Sequence, residues 1–538
     1  MSPALQSSFD KLVDDDKLVD VPSRSLRSYL ISSDVHDDDE KTRCASANLK
    51  KAQVLAEVAN TTLKCANTGG LAERAARQAS ELDAQTTPKK PLHGVPVSIK
   101  ESFAVTGQRS PLGLRELNEP TAPVALEDAA IFTLLRAAGA VPFARTSVPP
   151  LLNSTETNNP ITGRCLNPHC HALTPGGSSG GEACLVASGA SPFGVGTDFG
   201  GSVRVPAHFC GVSAIMVDTE RRWRKWRRGC GGVHGALEMI DRAEPYTSLG
   251  FFAHTAVDLR LGVKALMEAA TALDDDDGSG TSGMQWTPAD IKRVGVVIPF
   301  DYDGSPREFD GVEVAPPCRE AMQAAVASLE KAGIEVTSYK PPPGLVAATI
   351  QVSAGVGELA PGKRRTPRWA KKVAAWAAAW FTRRGAELLR ASSECQEPQD
   401  GGWVAHEHIA ALREQMAQSW REQGIDALLA PAFPIPAYAH GRSEDAFLGL
   451  GVTGVWNALG AVAGVARSGV RVSARSCRWF PRESRDLLVA RLVKLYHETL
   501  GLLRETGCEL PVGVQVVGGS EEAVLAVMEL VEANQRVK

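Results

Sequence analysis

A lysine and two glycine-flanked serine turns are the residues of this sequence whose types and spacing best suit catalysis. The turns are Gly176-Gly177-Ser178-Ser179-Gly180-Gly181 and Gly200-Gly201-Ser202, and Lys100 lies upstream of both. Glycine lets the backbone adopt positive φ and lets other groups approach the main chain. The serine hydroxyls would then lie beside N–H groups that can stabilise an oxyanion. The pattern predicts a nucleophilic hydrolase without a catalytic histidine, although a single turn of this kind can also be a loop that binds nothing.

The elements that must position these residues follow from the hydrophobic pattern. The apolar run from Val95 to Ile99 predicts a core strand that ends at Lys100. A strand at Arg293–Ile298, a helix at Pro316–Ala332 and a strand at Ile334–Ser338 predict an α/β sheet. Further helices are predicted at Ser46–Leu82, Glu127–Ala138, Thr255–Ala270 and His406–Gln423, and further strands at Ala140–Ala144 and Ile425–Pro431.

Composition and charge argue against several classes of protein. The 538 residues carry a formal net charge of −4, which gives no overall nucleic-acid signal. The acidic N-terminal sequence does not look like a secretory signal, so the 11 cysteines indicate a reducing, intracellular setting. The longest apolar run, Val452 to Ala466, is too short to span a bilayer and contains Asn457, so we expect a buried helix or loop there.

One group of residues has a composition that suits a metal. Cys165 and Cys170 lie beside His169 and His171. Their spacing matches no common zinc pattern, and no second pair of ligands is evident. We therefore expect loop or core cysteines here and no metal.

Several stretches of the sequence resemble the amidase signature family. They are Lys100 with its strand, the turn at 176–181, and the segment TDFGGSVRVPAHFCG that ends at Gly211. Within the family the chain is most similar to the fatty acid amide hydrolase branch, with further likeness over residues 100–114, 134–159 and 511–518. The resemblance is dense over residues 90–215 and patchy elsewhere.

The resemblance implies a fold and a division of the chain. The fold is α/β, with helices on both faces of a large mixed β-sheet in an α/β/α arrangement. Residues 46–538 would form this single domain, with the signature core at 90–215. Residues 1–45 are polar and acidic, and we expect a flexible leader there.

The resemblance also implies the catalytic residues. Ser202 would be the nucleophile that forms an acyl-enzyme. Ser178, joined to Gly177 by a cis peptide bond, would pass protons between Ser202 and Lys100. Lys100 must be neutral to act as the base, and burial without a carboxylate partner would lower its pKa. No metal or organic cofactor is implied.

Other residues of the same motifs would bind the substrate or support the triad. The oxyanion hole would be formed by the N–H groups of Phe199, Gly200, Gly201 and Ser202. Leu152 matches a substrate-contacting position, although a leucine is more often simply part of the core. Ser179 and Arg204 match supporting positions, and for Arg204 an ordinary surface or ion-pair role stays open.

Two segments, residues 212–245 and 467–486, depart from the family pattern. The first contains the basic, tryptophan-containing run from Arg221 to Arg228. Such a run can bind nucleic acid or an anionic surface. A local error of reading frame or gene structure is the interpretation we favour, because both segments end abruptly where the family pattern resumes. No nucleic-acid partner is therefore predicted.

The segment from Lys363 to Arg390 has the composition of an amphipathic helix that lies on a membrane. One helical face carries Trp369, Val373, Trp376 and Trp380, and the flanking basic residues are Lys363, Arg364, Arg365, Arg368, Lys371, Lys372, Arg383 and Arg384. A helix packed on the protein's own core is the alternative. With the resemblance, the pattern predicts a homodimer on the cytosolic face of an internal membrane, with a cytosolic location as the alternative.

Together these features predict a serine amidase that hydrolyses fatty acid amides. The expected substrates are lipid amides, either N-acylethanolamines or primary acyl amides, cleaved through an acyl-enzyme on Ser202. The alternatives are a general amidase, a glutamine amidotransferase-type subunit, and a catalytically inactive membrane-bound homologue.

Overall fold

The computed structural model describes residues 26, 45–67, 70–85, 90–218, 223–230, 247–273, 290–297, 314–339, 405–474 and 487–533. The leader predicted at residues 1–45 lies outside the described residues apart from Leu26 and Ala45, and the amphipathic segment predicted at 363–390 lies wholly outside them. Across the described ranges, no helix has the length and apolar character needed to cross a membrane.

A single mixed sheet of eleven strands runs through the described part of the chain. In chain order, the strands of the structure are β1 (Ala66–Asn67), β2 (Pro96–Lys100), β3 (Val141–Thr146), β4 (Asn158–Asn159), β5 (Gly163–Arg164), β6 (Phe193–Asp198), β7 (Ser213–Met216), β8 (Ser248–Ala253), β9 (Arg293–Val296), β10 (Glu335–Ser338), β11 (Ala427–Pro431), β12 (Val462–Val472) and β13 (Leu510–Gly518). The sheet has the order β1-β3-β2-β6-β8-β7-β12-β13-β11-β9-β10, and β4 pairs only with β5. Parallel pairs lie toward the two ends of the sheet, and antiparallel pairs join them through the middle.

Helices cover both faces of this sheet. In chain order they are α1 (Ala45–Leu63), α2 (Ala72–Asp83), α3 (Ala130–Ala137), α4 (Gly180–Ala187), α5 (Arg204–Cys210), α6 (Ala256–Leu273), α7 (Pro316–Lys331), α8 (Ala405–Gln423), α9 (Ser443–Ala446), α10 (Gly451–Ala458), α11 (Leu487–Thr506) and α12 (Glu521–Ala533). Successive strand residues point to opposite faces, and Phe251 and Phe252 accordingly pack into different hydrophobic clusters. The Phe251 cluster includes α6 and α12, and the Phe252 cluster includes α1, α2 and α4. The predicted α/β/α fold is confirmed.

The helix predicted over Ser46–Leu82 is in fact two helices, with β1 between them. The side-chain oxygen of Asn60 accepts a hydrogen bond from the N–H of Ala66 at 3.0 Å, and Lys64 adopts a φ of 51°. These features end α1 and direct the chain into β1, which pairs with β3. The run of apolar residues predicted one helix because its spacing does not show this change of direction.

The prediction of a buried helix or loop over Val452–Ala466 is half wrong. The helix α10 ends at Ala458, and Gly460, with a φ of 61°, turns the chain into β12. This strand lies in the middle of the sheet between β7 and β13. Its apolar sequence reflects burial on both faces, a composition that does not distinguish a central strand from a helix.

The described parts of the two unusual segments are packed into the fold. Trp223 and Trp226 are buried, and Trp223 donates its ring N–H to Glu521 of α12 at 3.0 Å. The carbonyl of Gly229 accepts a hydrogen bond from the N–H of Ala104 at 3.0 Å. In the second segment, β12 continues through Val472 and pairs with β13. The side chains of both tryptophans are part of the core, so they are not available to stack on a nucleic acid.

Replacing the buried indole should therefore destabilise the whole fold. Trp223 is 1% exposed and its ring lies 5.1 Å from that of Phe251. We expect Trp223→Ala to lower the free energy of unfolding by about 3–5 kcal/mol, because it leaves a cavity in the core. Chemical denaturation measures this change. Arg224→Ala, an exposed position in the same turn, is the control and should change stability by less than about 0.5 kcal/mol. Equal effects of the two substitutions would show that the turn is not part of the core.

Candidate active site

Lys100 ends β2 and carries its amine into the interior. The side chain is 0% exposed. Its Nζ lies 2.8 Å from Ser178 Oγ, 2.8 Å from Thr197 Oγ1 and 3.1 Å from the carbonyl oxygen of Thr197. All three partners are uncharged. A neutral amine can satisfy all three contacts, because its two N–H groups can donate to Thr197 and its lone pair can accept the Ser178 hydroxyl.

The environment of Lys100 favours this neutral form. Burial lowers the pKa of Lys100 from its ordinary value to about 7. Negative charge nearby acts in the opposite direction, from the ionisable groups of Asp198, Cys230, Glu182 and Glu101. Burial is the larger effect, so the site favours the uncharged amine far more than water does. In this form the amine can accept a proton from Ser178.

Ser178 lies in the first serine turn, which close packing holds in place. Its peptide bond with Gly177 is cis, as expected, and Gly176 has a φ of 90°. A Cβ on Gly177 would overlap the carbonyl oxygen of Ser154, and a Cβ on Gly176 would lie 2.8 Å from Pro206 Cα. Glycine is therefore required at both positions, because only a bare backbone fits between these neighbours. The turn presents Ser178 to Lys100 inside the protein.

Ser202 lies in the second turn, between β6 and α5, and main-chain contacts join the two turns. The N–H of Ser179 donates to the carbonyl oxygen of Ser202 at 3.0 Å, and Ser179 Oγ donates to the carbonyl oxygen of Thr197 at 3.3 Å. Ser179 therefore contacts both the Ser202 turn and the residue whose side chain and carbonyl bind Lys100. Ser178 is buried, whereas Ser202 is partly exposed. The structure brings Lys100, Ser178 and the Ser202 turn together and leaves Ser202 open to an incoming molecule.

Arg204 is the first residue of α5, and its guanidinium is fully buried against Asp198. Its Nε and Nη2 donate to the two carboxylate oxygens of Asp198 at 3.0 and 2.9 Å. Burial is the largest single effect and opposes ionisation of Asp198. The Arg204 charge, together with the hydrogen bonds from Arg204, the Val203 N–H and Asn457, outweighs it and lowers the pKa of that carboxyl to about 2. An ordinary surface role for Arg204 is excluded by this burial. Through its contacts with Asp198, Arg204 holds the loop that carries Ser202 in place.

Three further residues hold Arg204 and this loop from distant parts of the chain. Arg204 Nη1 donates to the side-chain oxygen of Gln515 at 2.7 Å, and Nη2 donates to that of Asn457 at 2.5 Å. Thr453 Oγ1 donates to the carbonyl oxygen of Gly200 at 2.7 Å. Sequence analysis assigned these residues no role. The one available signal was a polar side chain inside an apolar run, as at Asn457.

The predicted oxyanion hole needs one correction. The N–H of Gly201 donates to Asp198 Oδ1 at 2.7 Å, so it is already used inside the loop. This leaves Phe199, Gly200 and Ser202 for that role. Gly200 is partly exposed, and no atom of the described residues lies within 4 Å of a Cβ built at this position. With respect to these residues, the space beside the Ser202 turn is open to a substrate.

Leu152, the predicted substrate-contacting residue, lies in a short turn next to this site. It is partly buried, has a φ of 58°, and donates its N–H to the carbonyl oxygen of Pro149 at 3.1 Å. The chain then continues to Ser154, whose carbonyl oxygen packs on Gly177. Leu152 therefore belongs to the segment that supports the first serine turn.

The residues that could suggest a metal make other contacts. The Cys165 thiol lies 3.6 Å from the Cys184 sulfur, and the Nε2 of His169 lies 2.9 Å from the carbonyl oxygen of Cys210. Cys170 contacts the hydroxyl of Thr506 at 3.7 Å. Across the described residues, no cluster of three or more His, Cys, Asp or Glu side chains could hold a metal ion.

Comparison with known proteins identifies the family. The family model described as Amidase matches residues 47–525. An amidase of Gibberella moniliformis is 32% identical over 411 residues, which cover 74% of this chain and 71% of that protein. Fatty-acid amide hydrolase 1 of Sus scrofa is 30% identical over 399 residues, which cover 70% of this chain and 64% of that protein.

A comparison of structures gives the same fold. A solved structure of a fatty acid amide hydrolase matches with a TM-score of 0.68 at 22% sequence identity, covering 98% of this chain and 88% of that one. At this identity the likeness shows the fold alone. The family model, which spans most of the sequence, shows the family. This chain therefore belongs to the amidase signature family and is a hydrolase of amide bonds.

Proposed function

We propose that the protein is a serine amidase that hydrolyses fatty acid amides through Lys100, Ser178 and Ser202. The observation that carries the proposal is the burial of the Lys100 amine, which has uncharged hydrogen-bond partners and lies 2.8 Å from Ser178 Oγ. The turn that carries the partly exposed Ser202 lies directly beside this pair. A base, a hydroxyl that can relay a proton and an accessible nucleophile are what acyl transfer by serine requires.

The proposed reaction begins with attack of Ser202 Oγ on the amide carbon. As this C–O bond forms, the Ser202 proton passes to Ser178 Oγ and the Ser178 proton passes to Lys100 Nζ. N–H groups of the loop at 199–202 stabilise the oxyanion. The C–N bond then breaks, and the amine leaves with the proton returned through Ser178. Water attacks the acyl ester by the same relay, which releases the acid and restores Ser202.

The proposed substrates are lipid amides, either N-acylethanolamines or primary acyl amides. Support comes from the 30% identity to a fatty-acid amide hydrolase of Sus scrofa. A general amidase is the alternative, and the 32% identity to an amidase of Gibberella moniliformis supports it. The two differ in how the rate depends on acyl chain length. Each methylene buried in an apolar site contributes about 0.8 kcal/mol, or roughly a fourfold gain in kcat/KM.

The first prediction concerns the nucleophile and the substrate together. A long-chain fluorophosphonate should label the wild-type protein, and Ser202→Ala should abolish the labelling because the acyl-forming oxygen is gone. Ser188→Ala is the matched control and should keep the labelling, since Ser188 lies at the far end of α4 and bonds only locally to the carbonyl of Leu185. Unchanged labelling of Ser202→Ala, or none of the folded wild type, would refute the nucleophile.

The same preparation then distinguishes the substrate classes. We expect kcat/KM for primary amides to rise at least about tenfold from short to long acyl chains. A profile that does not depend on chain length would instead favour a general amidase. Preferential release of ammonia from glutamine would favour an amidotransferase-type subunit.

A second prediction uses the open space beside Gly200. Gly200→Ala should fold normally, because its Cβ would meet no atom within 4 Å among the residues that the structure describes. The methyl group should nevertheless lower kcat/KM by at least about tenfold, since it occupies space beside the proposed oxyanion site. Gly519→Ala is the matched control, because a Cβ there also meets nothing within 4 Å. Full activity of Gly200→Ala would place the substrate elsewhere.

We also propose that the protein binds the cytosolic face of an internal membrane, as a homodimer. The support is the sequence of residues 363–390, whose spacing predicts one helical face with three tryptophans and Val373 between basic clusters. A substrate with a long acyl chain partitions into a bilayer, so such docking would bring the enzyme to its substrate. The resemblance to fatty acid amide hydrolases is the support for the dimer.

Vesicle flotation tests the membrane proposal. The full-length protein should float with vesicles that contain anionic lipid, and the triple variant Trp369→Ala, Trp376→Ala, Trp380→Ala should lose about tenfold in partitioning because its apolar face is removed. The double variant Glu414→Ala, Arg421→Ala is the control, since both side chains are exposed on α8. Equal flotation of the triple variant and wild type would argue that the segment packs on the protein itself.

A further inference from the structure

A buried carboxyl group next to the proposed triad takes no part in the reaction described above. Glu182 of α4 is fully buried. Its Oε1 accepts a hydrogen bond from Thr146 Oγ1 at 2.8 Å, and its Oε2 lies 2.6 Å from Ser98 Oγ. Gly194 passes so close to this carboxyl that a Cβ there would overlap Oε2. The hydrogen-bond partners of Glu182 among the described residues are thus hydroxyl groups, which cannot neutralise a carboxylate.

The protons available to these hydroxyls determine which group donates. Ser191 Oγ lies 2.7 Å from the carbonyl oxygen of Phe193, which can only accept, so the Ser191 proton is used there. Ser191 Oγ also accepts the N–H of Ser98 at 3.1 Å. The single hydroxyl proton of Ser98 thus faces two acceptors, Glu182 Oε2 at 2.6 Å and Ser191 Oγ at 2.9 Å. A proton on the carboxyl satisfies both contacts, because Glu182 then donates to Ser98 while Ser98 donates to Ser191.

We propose that Glu182 is an uncharged carboxylic acid in the working protein, that it donates to Ser98, and that its neutrality helps to keep Lys100 neutral. Ser98 and Lys100 lie on the same strand, two positions apart, so this hydrogen bond also fixes the part of β2 that carries the base. Glu182 is thus a positioning residue. The inference rests on the proposed role of Lys100 as the base.

The electrostatics of the site agree with the proton count. Burial raises the pKa of Glu182 to about 8, against the opposing effects of its two hydroxyl partners and Lys100. Were Glu182 ionised, its charge would raise the pKa of Lys100. Because burial disfavours both charges, an amine beside a carboxylic acid is favoured over an ammonium beside a carboxylate. The other ionisable groups that face this pair are Glu101, Asp198, Cys65 and Cys230.

The test is the pH dependence of stability in Glu182→Gln, which offers a donor to Ser98 and an acceptor to Thr146 but cannot ionise. A carboxyl whose pKa is raised from 4.5 to about 8 keeps in the native state a proton that the unfolded chain releases. Wild-type stability should therefore fall relative to the variant as pH rises through this window. We expect the Tm of Glu182→Gln minus that of wild type to grow by at least about 4 °C across it.

Two controls make this result specific. Glu505→Gln, at an exposed position of α11, should give a Tm difference that does not change with pH. The measurements are repeated with Ser202→Ala present in both proteins. Because Tm needs no turnover, failure of the proposed reaction would leave the Glu182 result readable. A Tm difference for Glu182→Gln that does not change with pH would show an ionised carboxylate and overturn the proposal.

The link to Lys100 has its own readout. The rise of kcat/KM with pH reports the deprotonation of Lys100. If Glu182 is uncharged while Lys100 titrates, Glu182→Gln should leave the midpoint of this rise unchanged. A midpoint that moves to lower pH in Glu182→Gln would show that the wild-type carboxyl is ionised and holds Lys100 in its charged form, which would overturn the proposal. If Glu182→Gln fails to fold, infrared spectra of the wild-type protein test the proposal instead. The wild-type protein should show the carbonyl band of a protonated carboxylic acid at neutral pH, and this band should shift in Ser98→Ala. Absence of the band from the wild-type spectrum would refute the proposal.

Discussion

The buried ion pair between Asp198 and Arg204 is the interaction on which the Ser202 loop depends. Both side chains are 0% exposed. Asp198 ends β6 and Arg204 begins α5, so the pair closes the loop between them at its base. Asp198 also accepts the N–H groups of Gly201 and Val203 at 2.7 and 3.0 Å. Replacing one partner would leave the other as a buried charge without a counterion, which lowers the free energy of unfolding by about 3–5 kcal/mol. Neither residue can therefore be replaced alone without loosening the loop.

This pair connects the loop to the middle of the sheet. Arg204 reaches Gln515 of β13, Asn457 of α10 and the carbonyl of Thr453. In the sheet, β8, β7 and β12 separate β6 from β13. The position of Ser202 is therefore set by elements on both sides of these three strands. Lys100 lies on β2, which pairs with β6, and Ser178 lies in the turn before α4. The proposed triad therefore depends on contacts across much of the sheet as well as on its own motif.

Sequence analysis predicted the parts of the protein whose structure is specified by residues close together in the chain. The run before Lys100 and the glycines around Ser178 and Ser202 each specify a strand or a turn through neighbouring residues, and the structure has these elements in place. Asn457 and Gln515 could not be assigned, since their partner Arg204 lies 253 and 311 residues away along the chain. The bonded N–H of Gly201 was missed for a related reason, because the motif does not show which acceptor lies within reach.

The basic run around Trp223 shows a different limit. Its composition is that of a binding surface, yet the structure turns both tryptophans inward and leaves Arg224 outward. Composition counts residue types and does not tell which side of a turn meets the core. A likeness to the family could not help here, because the segment departs from the family pattern. Only the packing partners, Glu521 and Phe251, reveal its role.

The pairing of β12 and β13 at the centre of the sheet has a consequence for biosynthesis. When a ribosome has released β8, this strand can pair with β7, but the other edge of β7 still has no partner because β12 has not yet been translated. The nascent chain must hold an open, apolar sheet edge for the time needed to make some 250 residues, from Met216 to Val465. Such an edge binds other chains readily. The centre of the sheet can therefore close only after β12 has been made.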